Sequence, residues 1–168
     1  MSFVDRARAA VPGVIKKLDE LDEQAYNLAL KSCVPLFKKE LEKEYVEAAS
    51  AWYDAYTPKR YKRNYSIKNM FDAQWNSRTN EFGYNYLSER MTKGKNGYSL
   101  YEPVFIQGWH GGASVWGKTC VKTTPVIDIF NPKIERLTDE YNKKINEMAD
   151  SLLVQLIKQA DWWGWLNG

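Results

Sequence analysis

Histidine occurs once in these 168 residues, at His110, and cysteine twice, at Cys33 and Cys120. One histidine and two distant thiols cannot supply the cluster of ligands that a zinc or related metal site needs. Two cysteines also fall short of a disulfide framework. With no signal peptide at the N-terminus, they read as reduced thiols of a cytoplasmic product. Long apolar runs are missing, so the sequence offers nothing to span a membrane. A strong charge of one sign is missing as well: 24 Lys and Arg against 21 Asp and Glu leave a net charge of +3. A dedicated nucleic-acid-binding domain would be more basic. Internal repeats and low-complexity tracts are absent.

Aromatic side chains are what the sequence has in surplus, at 14%, with seven Trp and eleven Tyr. They give large contact area at low entropic cost and serve cores and protein interfaces alike. The balance of 44% hydrophobic and 27% charged residues suits a soluble globular chain. At 19.6 kDa that chain is long enough for one domain with a real core.

Along the chain, Pro12-Gly13 predicts a break after an N-terminal arm (1–13). Val14, Leu18, Leu21, Ala25 and Leu28 then recur at helical spacing, Pro35 interrupts or kinks the pattern, and Phe37, Leu41, Tyr45, Ala48 and Trp52 resume it. This gives a helical segment over 14–56. From 57 to 130 glycine rises and short β-rich runs appear, "YSLYEPVFIQG" and "TCVKTTPVIDI" among them. Asn96-Gly97 is the dipeptide of a type I′ hairpin. Asn131-Pro132 reads as N-cap and first position of a last helix over 131–161, with a stripe of Ile134, Leu137, Tyr141, Ile145, Met148, Leu152 and Leu156. A Trp-rich tail, 162–168, closes the chain. The expected fold is α+β: a long N-terminal helical segment, a central curved antiparallel sheet with hairpins and a long C-terminal helix, in one domain.

"GASVWGKT" at 112–119 satisfies the P-loop pattern to the letter, with Lys118 and Thr119 in the phosphate and magnesium positions. A P-loop runs straight into a helix whose N-terminus faces the anion. Here β-branched residues and Pro125 follow, and only 49 residues remain after Thr119, too few for a nucleotide-binding sheet. The match is read as coincidence. "HGGA" at 110–113 has the look of an esterase oxyanion loop, but no G-x-S-x-G nucleophile elbow accompanies it. The carboxylate pairs of "KKLDELDE" and "LTDEY" read as solvated helix faces. No catalytic residue, cofactor site or metal site is expected, and the chain reads as a non-enzyme.

Two stretches remain. "TPKRYKRNYSIKN" at 57–69 holds Lys59, Arg60, Lys62, Arg63 and Lys68 with no acid between Asp54 and Asp72. Read as a strand, Arg60, Lys62, Asn64, Ser66 and Lys68 point one way and Tyr61, Arg63, Tyr65 and Ile67 the other. Such a face could meet solvent, an acidic neighbour or single-stranded nucleic acid; in the last case Trp75 and Trp109 would serve as stacking platforms. The tail "WWGW" places Trp162, Trp163 and Trp165 at the end of the chain, where they would fold back on the core or anchor an interface. Trp109 and Trp116 in the glycine loop are interface candidates of the same kind.

The order of features resembles the neck or tail-completion (head–tail joining) proteins of tailed bacteriophages. In that family a helix runs into a proline-containing basic and hydroxyl segment ending in Ser-Ile. "YTPKRYKRNYSIKN" has Pro58, Arg60, Arg63, Ser66 and Ile67 in that order. An aromatic strand leading to a glycine loop is matched by Tyr98, Tyr101, Phe105 and Gly108. A Pro-Phe-Leu-x-Pro entry to the last helix is echoed by Pro125, Ile129, Phe130 and Pro132. The likeness covers roughly residues 36–160. The family's Thr-Gly pair after the proline is absent, and its Glu-Phe-Gly stands at 81–83, out of register.

The resemblance implies a structural virion protein made in the bacterial host cytoplasm. It would form a homo-oligomeric ring at the head–tail junction, with a portal or adaptor protein on the head side and a tail-tube or tail-terminator protein on the other. It implies no cofactor and no membrane. The five basic side chains would line the channel during transient DNA passage or pair across subunits. The alternative is a small single-stranded nucleic-acid-binding module built on 57–69. A host-takeover factor that binds one host protein is a third reading, which the sequence neither favours nor opposes.

Overall fold

The computed structural model describes residues 3–57, 65–91, 93, 97, 99–110 and 121–160, with 3–10 as backbone only. Two long helices, α1 (Phe3–Asp54) and α2 (Val126–Gln159), bracket the antiparallel strands β1 (Phe71–Asn76), β2 (Glu81–Tyr86), β3 (Trp109–His110) and β4 (Val121–Lys122). The fold is α+β, with a long N-terminal helix, small antiparallel sheets in the middle and a long C-terminal helix. Among the described residues the strands pair as two separate two-stranded ladders, β1 with β2 and β3 with β4.

Three boundaries differ from the sequence reading. Neither Pro12 nor Pro35 ends α1; both lie inside it. A proline inside a helix forfeits one hydrogen bond to the carbonyl four residues back and costs about 3 kcal/mol. Pro35 and Lys31, whose carbonyl loses its donor, are both exposed, so water can take over. The last helix begins at Val126, not at Asn131-Pro132. Ile129 N–H donates to the Pro125 carbonyl at 3.2 Å, and Pro132 lies exposed within the helix. The stretch 101–106, expected as β, is a π-helical turn in which Gln107 N–H donates to the Glu102 carbonyl at 3.0 Å. Val104 and Phe105 are both buried, and successive residues of a strand cannot face the same core. Of the expected Asn96-Gly97 turn only Gly97 is described, at φ +73°.

The chain divides into two compact units: 1–35 with 139–168, and 36–138. In the first, the early part of α1 buries Ala25, Ala29, Leu30, Cys33 and Val34, and the late part of α2 buries Tyr141, Ile145 and Ala149. Small residues on α1 let a helix approach closely. Leu28 and Met148, expected in the stripes, are exposed instead. Cys33 is a buried free thiol.

The second unit is built on Tyr45. Its ring stacks on Phe71 of β1 at 5.0 Å and meets Phe130 of α2 edge-on at 5.2 Å. β1 and β2 pair Phe71 with Tyr86, Ala73 with Tyr84 and Trp75 with Phe82. Directly opposed residues share a face, so one side of this hairpin is aromatic and the other is polar (Asp72, Gln74, Asn76, Glu81, Asn85). Phe82 meets Phe37 of α1 at 4.8 Å, which lays the aromatic side on the helix. The turn is set by Asn76 Oδ1, which accepts the Arg78 N–H at 3.0 Å, and by Asn80 at φ +54°, a conformation asparagine tolerates better than most residues. Charges also tie the helices within this unit. Glu44 accepts from Lys133 Nζ and, at 2.9 Å, from Arg136.

Candidate functional site

The basic segment is rooted on the last turns of α1. Its nearest described residue, Tyr65, is left-handed (φ +56°) and opens a 3-10 turn over Ser66–Asn69. The strand reading of 57–69 is therefore corrected at its C-terminal end: Ser66 and Lys68 do not lie on a strand face. Ile67 is buried, and both of its backbone groups are held by tyrosines of α1. Tyr45 Oη donates to the Ile67 carbonyl at 2.6 Å, and the Ile67 N–H donates to Tyr53 Oη at 3.3 Å. Tyr65 lies against Tyr53 at 4.9 Å, and Lys68 Nζ sits 5.1 Å from the centre of the Tyr65 ring. The segment thus leaves at the end of α1 and returns onto the same helix. Burial pushes the Tyr45 phenol well above its ordinary range, so it stays a neutral donor to that carbonyl. Lys59, Arg60, Lys62 and Arg63 lie outside the described residues.

The same end of α1 meets β3. Trp52 stacks on His110, with ring centroids 4.0 Å apart and planes 13° from parallel, and Tyr56 meets the same ring at 5.0 Å. His110 is 2% exposed, and its Nε2 lies 2.7 Å from Thr123 Oγ1. Gly108 makes this packing possible. It sits at φ +74°, and a Cβ there would lie 2.2 Å from the Thr123 carbonyl oxygen. Thr123 N–H donates to the Gly108 carbonyl at 3.0 Å, extending the β3–β4 ladder. Trp109 is half-buried, with Lys122 Nζ 5.8 Å from its ring centre.

Tyr65, Tyr53, Trp52 and His110 therefore form a continuous aromatic chain. It runs from Tyr65, which carries Lys68 over its ring, to His110, and so brings together residues that lie far apart in sequence. Sequence reasoning missed Trp52, Tyr53 and His110 as its links. The available signal was the adjacency of Trp52, Tyr53 and Tyr56 at the end of a helix whose stripe needs only the first.

Trp116, Trp162, Trp163 and Trp165 lie outside the described residues, as does the P-loop-like stretch 112–119. Val121–Lys122, just after that stretch, are extended and paired with β3 rather than the first turn of a helix. Trp75 lies half-buried on the aromatic side of the hairpin. The β1–β2 turn also lines an open groove of about 830 Å³, formed by residues 74–78 and 81–83. Among the described residues no group of three or more His, Cys, Asp or Glu is placed to hold a metal ion. No helix among them is long and apolar enough to cross a membrane. No protein-family model, no curated protein and no solved structure matches the chain.

Proposed function

We propose that the chain is a structural subunit of the neck of a tailed bacteriophage, a ring protein that joins the head to the tail. Its neighbours would be a portal or adaptor protein and a tail-tube or tail-terminator protein. The observation that supports this best is the rooting of the basic segment. A cation-rich stretch starts at the end of a long helix and returns to it through Tyr65 and Ile67, just before a small antiparallel hairpin. This is the element order and motif position of the neck proteins the sequence resembles. Anchored at both ends, such a stretch suits a channel wall, with its roots packed in the subunit and its charges presented inward.

A channel wall should let DNA pass and not hold it. With four cations in play (Lys59, Arg60, Lys62, Arg63), affinity for single-stranded DNA should be weak and fall about 50-fold between 50 and 200 mM salt. Fluorescence anisotropy with a labelled oligonucleotide reads this directly. The double variant Arg60→Ala/Lys62→Ala should lower the slope of log affinity against log salt by about 1.4. Binding that the double variant leaves unchanged would remove the channel role. Tight binding at physiological salt would favour the nucleic-acid-binding module instead.

A further inference from the structure

The ladder of β1 and β2 has one open edge. Leu87 N–H donates to the Met70 carbonyl at 2.7 Å, and the register runs on from that pair without a bulge. Bonded and non-bonded pairs alternate along an antiparallel ladder. Asp72 with Asn85, Gln74 with Gly83 and Asn76 with Glu81 are therefore the bonded pairs. The N–H and C=O groups of Phe82, Tyr84 and Tyr86 then point away from β1, and those of Phe71, Ala73 and Trp75 point away from β2. Among the described residues, none of the outward backbone groups of β2 finds a hydrogen-bond partner.

The two edges differ. β1 is sunk in the core, with Ala73 0% and Phe71 9% exposed, whereas Glu81, Gly83, Tyr84 and Asn85 of β2 are all exposed. Natural sheets guard an open edge with lysine, proline or a bulge. β2, "EFGYNY", has no bulge, no lysine and no proline, and its one charge, Glu81, stands at its first position. A Cβ at Gly83 would meet nothing within 4 Å, so the polar side of the strand is clear for an approaching backbone.

We propose that β2 pairs antiparallel with β2 of a second copy, across a two-fold axis at Tyr84. The β1 edge is closed, and β3 and β4 are 2 residues each, so among the described strands β2 is the one that a second copy can offer. Its outward groups stand at 82, 84 and 86, and the register centred on Tyr84 satisfies all of them. Tyr84 then faces Tyr84 of the second copy, and Phe82 faces Tyr86 of the second copy, which sets aromatic rings in cross-strand pairs. No like charges are opposed, since Glu81 meets Leu87 and Gly83 meets Asn85. A strand of 6 residues is well short of the about 20–30 residues a side of a stable interface. The pairing is therefore reversible and grows with concentration. It goes beyond the ring reading, because a two-fold contact joins copies or whole rings in pairs and cannot by itself close a ring.

Sedimentation velocity of the full chain over an about hundredfold range of concentration tests this. Tyr84→Pro removes an N–H that points away from β1, so the ladder within the chain keeps its bonds. It should raise the dissociation constant of the pair about tenfold or more. Tyr84→Lys, which opposes two ammonium groups across the axis, should act in the same direction and guards against a local effect of proline. Tyr84→Cys should form a covalent dimer on oxidation, because facing Cα atoms of a bonded pair lie about 5.5 Å apart. Glu81→Cys, several residues from the axis, should not. The mass of any ring should be untouched by these variants while its doubling is lost, so this contact and the ring reading fail separately. Absence of pairing in the parent at the highest concentration, or pairing unchanged in both Tyr84→Pro and Tyr84→Lys, would overturn the proposal. So would a Tyr84→Cys chain that cross-links no faster than Glu81→Cys.

Discussion

Two tyrosines in one aromatic cluster make opposite predictions. Tyr45 Oη donates to the Ile67 carbonyl, which also accepts the Met70 N–H at 3.1 Å. Tyr45→Phe therefore removes a hydrogen bond without orphaning the acceptor and should cost about 0.5–1.5 kcal/mol. Tyr86 Oη is buried with no hydrogen-bond partner among the described residues. Tyr86→Phe removes an unsatisfied hydroxyl and keeps the ring contacts with Tyr45 and Phe105. It should be neutral or stabilising by up to about 1 kcal/mol. Urea denaturation of the two variants checks the contrast; equal losses would contradict the unsatisfied state of the Tyr86 hydroxyl. Glu44 adds a pH dependence. The hydrogen bond from Lys133 holds its carboxyl below the ordinary value of 4.5, with the charges of Lys133 and Arg136 adding to it and partial burial opposing. Because the folded value is the lower one, this stability is present at neutral pH and lost as acid protonates the folded carboxylate. Glu44→Gln should cost about 1–2 kcal/mol at pH 7. The gap between variant and parent should narrow as the pH falls below 4.5 and close once the folded carboxylate is protonated; a gap that stays constant through acid titration would contradict the ion pair.

At the scale of elements, the β3–β4 ladder depends on one residue. Gly108 adopts a left-handed conformation, with the Thr123 carbonyl where a side chain would begin. Gly108→Ala should cost at least about 1–3 kcal/mol from the backbone alone. It should also loosen the seat of His110 against Trp52, visible as a change in near-UV circular dichroism. A thermal midpoint and near-UV spectrum equal to the parent's would contradict the close packing. The elements differ in how far the sequence revealed them. The stripe from Phe37 to Trp52 was legible because long helices repeat their burial every turn. Pro12 and Pro132 misled because a proline's local cost is small beside the packing of a long helix. The π-helical turn at 101–106 was hidden by β-branched and aromatic composition; only the spacing of Tyr101 and Phe105, four apart, fits a helix, and in the structure their rings stack at 5.3 Å. The 3-10 turn at Ser66–Asn69 could not be read either, since tyrosines 14 and 22 residues away in sequence fix it.

At the scale of the whole molecule, the α+β order was legible from where helical periodicity stops and resumes. The root of the candidate site was not, because it depends on which aromatic residues meet in space. Tyr45 and Tyr53 grip Ile67, and Trp52 carries the contact on to His110, a chain no spacing rule joins. In the proposed ring subunit, that root would hold the basic segment of a nearly neutral chain in place. Mass photometry of the purified protein, with and without single-stranded DNA, tests this most directly. The account predicts ring particles of several times 19.6 kDa that an oligonucleotide leaves unchanged at physiological salt. A 19.6 kDa monomer that gains the mass of the oligonucleotide and holds it tightly would contradict it.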